Sequence, residues 1–162
     1  MNKRPGPLSD AVRESAQRSV LCWLATVDAQ GQPNVSPKEV WAMVDARHVV
    51  VANIASPISA RNIGMQPRVC LSFVDVFVQK GHKLQGTARE VLPSEADFAQ
   101  WAAPLREQVG RRFPIHSVVL IEVHAVSPIV APSYRLDPDT TSEAGQIAAA
   151  MRGYGVMPRV KG

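Results

Sequence analysis

At 162 residues, with 46% hydrophobic and 20% charged side chains, the chain has the size and composition of one globular domain; 10 glycines and 13 prolines without a period exclude a collagen-like or disordered polymer. No charge-free stretch approaches the roughly 20 apolar residues of a membrane span, so no membrane partner is expected. The 18 basic and 14 acidic residues leave a net charge of +4, thinly spread apart from Arg111-Arg112 and the two chain ends, and only 6% of residues are aromatic. That balance favours a small anionic ligand and gives no cationic stripe or stacking platform for nucleic acid.

The basic opening Met1-Asn2-Lys3-Arg4-Pro5 is followed by Ser9-Asp10 and Arg13-Glu14 rather than an apolar run, so no signal peptide is expected and the cytoplasm is favoured. A short helix over Ser9–Gln17, with Ser9 as N-cap, completes an N-terminal arm of residues 1–18. Val20–Val27 reads as the first strand, Asp28–Pro33 as a hairpin loop, and Asn34–Met43 as a second strand interrupted at Ser36-Pro37. Proline cannot donate to a ladder, so Pro37 marks an edge or bulge where backbone groups are free to face a ligand. His48–Asn53 is a third strand, and Ser56-Pro57 opens a helix that reaches about Met65.

Arg68–Phe73 and Val76–Gln79 follow as strands, Lys80-Gly81-His82 as a turn, and Lys83–Leu92 as another strand in which Gly86 signals close approach. Ser94-Glu95-Ala96-Asp97 resembles a capping box ahead of Phe98, Trp101, Ala102, Leu105 and Val109 at helical spacing. His116–Val126 is the last strand. Residues 128–162 form a proline-spaced tail in which Thr140-Thr141-Ser142-Glu143 starts a helix that Gly153 ends. Three strands between Val20 and Asn53 with no helix among them disfavour a doubly wound sheet, and residues 19–127 are read as a mainly β domain, a small antiparallel barrel with peripheral helices.

No nucleophile elbow, phosphate-binding glycine loop, dinucleotide fingerprint or metal-ligand spacing is present. His48, His82, His116 and His124 are scattered and receive no role, and Cys22 and Cys70 lie in strand-like runs as reduced thiols. The informative stretch is Asn53–Asn62, where a strand feeds a helix start carrying Ser56, Ser59 and Arg61. Free N–H groups, a hydroxyl and a guanidinium there can cradle a phosphate; an ordinary capped helix with a solvated Arg61 is the competing reading.

The succession Leu24-Ala25-Thr26-Val27-Asp28, Gly31–Pro37, Val50–Asn53, Ser59-Ala60-Arg61-Asn62-Ile63 with Pro67-Arg68-Val69, and Leu84-Gln85-Gly86-Thr87-Ala88 resembles the pyridoxamine 5'-phosphate oxidase-like flavin-binding split barrels. The resemblance implies a six-stranded antiparallel split β-barrel, a homodimer, and FMN at the subunit interface. It places Ser36, Pro37, Lys38 and Glu39 along the flavin ring, Asn53 and Ile54 at the ring and ribityl chain, and Ser59, Arg61 and Asn62 at the phosphate, with Arg61 as its main grip. Lys83 and Gln85 would approach the cofactor, from the other subunit where the dimer requires it. Family members that oxidise pyridoxamine phosphate tend to carry Arg where Ser36 stands and Lys around Ile58-Ser59, which sets this chain apart from that activity. The expectation is therefore an FMN-dependent oxidoreductase using a nicotinamide electron donor or a small substrate. The alternative is a carrier or sensor of flavin, haem or deazaflavin without turnover.

Overall fold

In the computed structural model, which describes residues 6–110 and 113–158, seven strands form one antiparallel sheet. They are β1 (Cys22–Val27), β2 (Pro33–Lys38), β3 (Trp41–Met43), β4 (His48–Asn53), β5 (Arg68–Asp75), β6 (Lys80–Val91) and β7 (Ser117–Val130), in the order β2-β1-β5-β6-β7-β4-β3. The alternation of buried Cys22, Leu24 and Thr26 with more exposed Trp23, Ala25 and Val27 shows why β1 covers a core with one face only. The two edge strands, β2 and β3, are neighbours in sequence and are joined by Glu39-Val40, so the sheet curls until its edges approach each other.

The resemblance implies six strands and seven are present: the run Asn34–Met43 divides at Glu39-Val40 into β2 and β3, as the chain crosses from one edge to the other. Asp28 fixes the preceding turn by accepting from the N–H groups of Gln30 and Gln32 at 2.9 and 2.8 Å.

Two apolar clusters flank β4. The barrel interior is filled by Leu24, Leu71, Phe73, Leu84 and Ile121, and capped by Leu8 and by Val12 of α1 (Asp10–Gln17). On the other side, Val50, Val118 and Leu120 pack beneath Phe98, Ala102 and Leu105 of α3 (Phe98–Val109). Being covered on both faces explains the unbroken apolar run Val49-Val50-Val51-Ala52.

Several expectations need correction. Val76–Gln79 is a turn rather than a strand, and Lys80-Gly81-His82 opens β6 rather than reversing the chain; the reversal falls on Gln79, at φ 56°. Gly86 sits at the register shift in the β6–β7 ladder, where an added Cβ would lie 2.1 Å from the Glu122 carbonyl oxygen. The expected capping box at Ser94 does not form: Glu95 accepts from the Leu92 N–H at 2.8 Å, and α3 begins only at Phe98. β7 runs through Pro128 to Val130; past Glu122 it pairs with β6 alone, so the missing N–H of Pro128 falls on the open side.

The tail returns to the barrel. Tyr134 of α4 (Ser133–Leu136) donates to the Val78 carbonyl at 2.9 Å, and Glu143 of α5 (Glu143–Tyr154) pairs with Lys80 at 2.8 Å. α5 is capped by Ser142 and ends at Gly155 (φ 64°), two residues beyond the expected Gly153. The basic residues before Gly6 and the pair Arg111-Arg112 lie outside the described residues. Among the described residues no helix is long and apolar enough to cross a membrane.

Candidate functional site

The closing of the sheet brings the end of β2 against the segment between β4 and α2 (Pro57–Met65). Lys38, the last residue of β2, is only 7% exposed and lies opposite Cys22 of β1. Its ammonium donates to Ser56 Oγ, and no carboxylate lies within ion-pairing distance among the described residues. Burial lowers the ammonium pKa from its ordinary value and pushes the Cys22 thiol up to about 12, so Cys22 supplies no thiolate to balance the lysine.

Ser56 stands at the N-cap position of α2, yet its side chain makes no capping bond. Instead its backbone N–H donates to Asn53 Oδ1 at 3.1 Å, while Asn53 Nδ2 donates to Glu90 Oε1 at 3.3 Å and to Ser117 Oγ at 2.9 Å. Ser117 in turn donates to Glu90. A chain of polar groups thus runs from Lys38 through Ser56 and Asn53 to Glu90 on β6 and Ser117 on β7. Each of these groups has a partner, but the acid of the chain, Glu90, is separated from Lys38 by two side chains.

A groove lies over this chain. One part, of about 370 Å³, has Leu21, Val40, Ala52, Ile54 and Phe113 as apolar walls and Lys38, Glu39 and Ser56 as polar ones. The adjoining part, of about 200 Å³, runs along Asn34-Val35-Ser36 and Pro57-Ile58-Ser59. Pro37, Ala55 and Ser56 line both. The start of α2 therefore faces the groove without a side-chain cap, presenting the positive end of its dipole. A third hollow of about 450 Å³, between α1, β3 and α3, is lined by Arg13, Gln17, Trp41 and Gln108 and shares Glu39 with the first.

Of the residues singled out from the sequence, Ser36, Pro37, Lys38, Glu39, Ile54 and Ser59 meet along the groove, and Asn53 supports it from below. Asn62 is buried and donates to Thr26 Oγ1 at 3.2 Å, tying α2 to β1. Arg61 is exposed on α2 and lines neither part of the groove. Lys83 and Gln85 are exposed on β6, on the outward face that also carries Trp23 and Val35. Glu90 and Ser117 escaped the sequence reading: they reach Asn53 only through strand pairing, with Ser117 sixty-four positions away. The apolar walls Leu21, Ala52 and Phe113 likewise have no local signature.

The family model for pyridoxamine 5'-phosphate oxidase matches residues 8–130, from Leu8, just before the Ser9 cap of α1, to the end of β7. The chain belongs to the pyridoxamine 5'-phosphate oxidase family. The haem oxygenase HutZ of Vibrio cholerae is 30% identical to this chain over 115 residues, 67% of this chain and 62% of that protein. The pyridoxine/pyridoxamine 5'-phosphate oxidase of Bacteroides thetaiotaomicron is 24% identical over 65% of this chain and 49% of its own length. The match thus spans less than two thirds of either curated relative.

Among solved structures, HupZ of Group A Streptococcus superposes with a TM-score of 0.65 at 21% identity, covering 76% of this chain and 94% of that one. An FMN-binding protein of Syntrophomonas wolfei gives 0.61 at 15% identity, covering 72% and 82%. These likenesses establish the family's barrel fold for this chain.

Proposed function

We propose that this member of the pyridoxamine 5'-phosphate oxidase family is an FMN-binding oxidoreductase that works as a homodimer. The observation that carries the reading is the groove over Lys38, which joins apolar walls to a buried cation that has no ion-pair partner among the described residues and to a helix start without a side-chain cap. A planar ring bearing a phosphate is complementary to both ends of such a groove, and the volume falls within the range of small-molecule sites. When bound, the flavin supplies the hydride and electron transfer.

The chain's own residues then bind and orient. Leu21, Ala52, Ile54 and Phe113 exclude water from the ring; Ser36, Ser56 and Ser59 offer hydroxyls along the ribityl chain and phosphate; Asn53 holds Ser56 through its N–H. The hollow beside Glu39, with Arg13 on its wall, gives a nicotinamide donor or small substrate room next to the cofactor. Trp23 and Val35, 46% and 57% exposed on the outward sheet face beside Lys83 and Gln85, support a partner subunit there, with those two polar residues reaching towards its groove.

Haem is the second reading, favoured by the kinship with HutZ. Against it, no histidine among the described residues lines the groove, so a single chain offers the iron no imidazole there. Titration with FMN, followed by flavin fluorescence, tests the proposal. Saturable quenching near one FMN per chain, with bleaching of the visible flavin absorption on adding a reduced nicotinamide cofactor, is expected. An absence of FMN binding alongside a saturable change in haem absorption overturns it in favour of the haem reading.

A further inference from the structure

We propose that Lys38, positioned by Ser56, is the anchor for the ligand's anionic group, and that Arg61 is not. This deepens the flavin reading and rests on it for the choice of FMN as first probe. The argument starts from the contrast between two cations near α2. Arg61 is exposed and outside the groove, where water satisfies its charge. Lys38 is 7% exposed, lines the groove, and has the Ser56 hydroxyl as its one hydrogen-bond partner among the described residues, leaving two of the three ammonium donors for another acceptor. A buried ammonium without a carboxylate is costly, and an incoming anion removes that cost.

The orientation of Lys38 is built rather than incidental. Ser56 Oγ is open to the ammonium because it is not spent on capping α2, and Asn53 holds the Ser56 backbone through its N–H. Asn53 is held in turn by Glu90 and Ser117. The titratable groups around Lys38 are Cys22 across the β1–β2 ladder, Glu39 next in the chain, and Glu90 through Asn53. None is a carboxylate in contact with the ammonium. The shared chemistry of the ligand is a flat ring system with a pendant anion, whether the phosphate of FMN or the propionates of haem.

The test compares charged and uncharged forms of each ring in wild type and in Lys38→Met and Arg61→Ala, with circular dichroism to verify folding. The expected result is that Lys38→Met weakens FMN about tenfold or more while changing riboflavin less than threefold, the scale of one charge-assisted hydrogen bond. Arg61→Ala changes both less than threefold. If wild type binds haem instead of FMN, the flavin reading falls, and the same ratio is read between haem and its dimethyl ester. A second readout uses the unmutated protein: reductive methylation of Lys38, followed by peptide mass spectrometry, is slowed by FMN, haem or inorganic pyrophosphate but not by riboflavin. Equal losses for charged and uncharged rings overturn the proposal. So does a tenfold loss in Arg61→Ala with none in Lys38→Met, a lysine that resists methylation in the free protein, or one that no anion protects.

Discussion

Two cationic regions of this barrel treat charge in opposite ways. On the outer surface of β6, Arg89 spreads its guanidinium between Glu95 at 2.8 Å and Asp97 at 2.6 Å, all three side chains between 38% and 46% exposed. In the groove, Lys38 is buried beside a hydroxyl and has no acid in contact. Where water and salt already screen charge, partners are plentiful and worth little; where charge is expensive, the partner is missing. The difference marks the groove as a place whose electrostatics are completed by something other than the chain itself.

The polar chain beneath Lys38 is where the contrast breaks most severely. Asn53→Ala removes the acceptor for the half-buried Ser56 N–H and one donor each from Glu90 and Ser117, which keep only their bond to each other. A loss of about 2–3 kcal/mol is expected in urea unfolding, the upper part of the range for a stranded polar group. A smaller effect of opposite sign is expected at Lys38 itself. Lys38→Met keeps most of the side-chain volume and discards the unbalanced charge, so the ligand-free protein melts about 2–4 °C higher, on the order of 1 kcal/mol, even as it loses anion affinity. A lower melting point in this variant contradicts the picture of an uncompensated ammonium.

The pH dependence sharpens the same point. Burial places the folded-state pKa of Lys38 below its unfolded value. Between those two values the unfolded chain binds more protons, so Lys38 makes stability rise with pH across that alkaline window, whereas anion affinity falls across it as the ammonium is lost. Melting curves of wild type and Lys38→Met, compared over the window, isolate the lysine; a difference that does not change with pH contradicts the assignment. The smallest effect is expected on the outer surface: Arg89→Ala moves the melting midpoint less than Lys38→Met does, and what change occurs shrinks as salt is added.

Much of the barrel was legible because local chemistry and global fold agree. β4 is bracketed by Asp45, whose carboxylate accepts from the Arg47 and His48 N–H groups at 2.7 and 2.8 Å, and by the Ser56-Pro57 helix start, so both its ends could be read. The β5–β6 reversal was misplaced because it turns on Gln79, a residue with no turn signature, while Gly81, which invites a turn, is glycine because its Cβ would lie 2.0 Å from the Phe73 carbonyl oxygen. At the site, the strand-to-helix segment Asn53–Ser59 was legible from its serines and proline.

The burial of Lys38 was not. It follows from β2 pairing with β1 and from the sheet closing at Glu39-Val40, which no local spacing reveals. Arg61 drew notice as the one cation in its helix, but the buried positions Ser59, Asn62 and Ile63 turn it outward.

A crystal structure of the protein with FMN is the most direct test of the central claim. The account predicts the ring between Pro37 and Ile54, against Phe113, with a phosphate oxygen within hydrogen-bonding distance of Lys38 Nζ. Flavin bound elsewhere, or bound in the groove with its phosphate on Arg61 and Lys38 still turned to Ser56 alone, contradicts it.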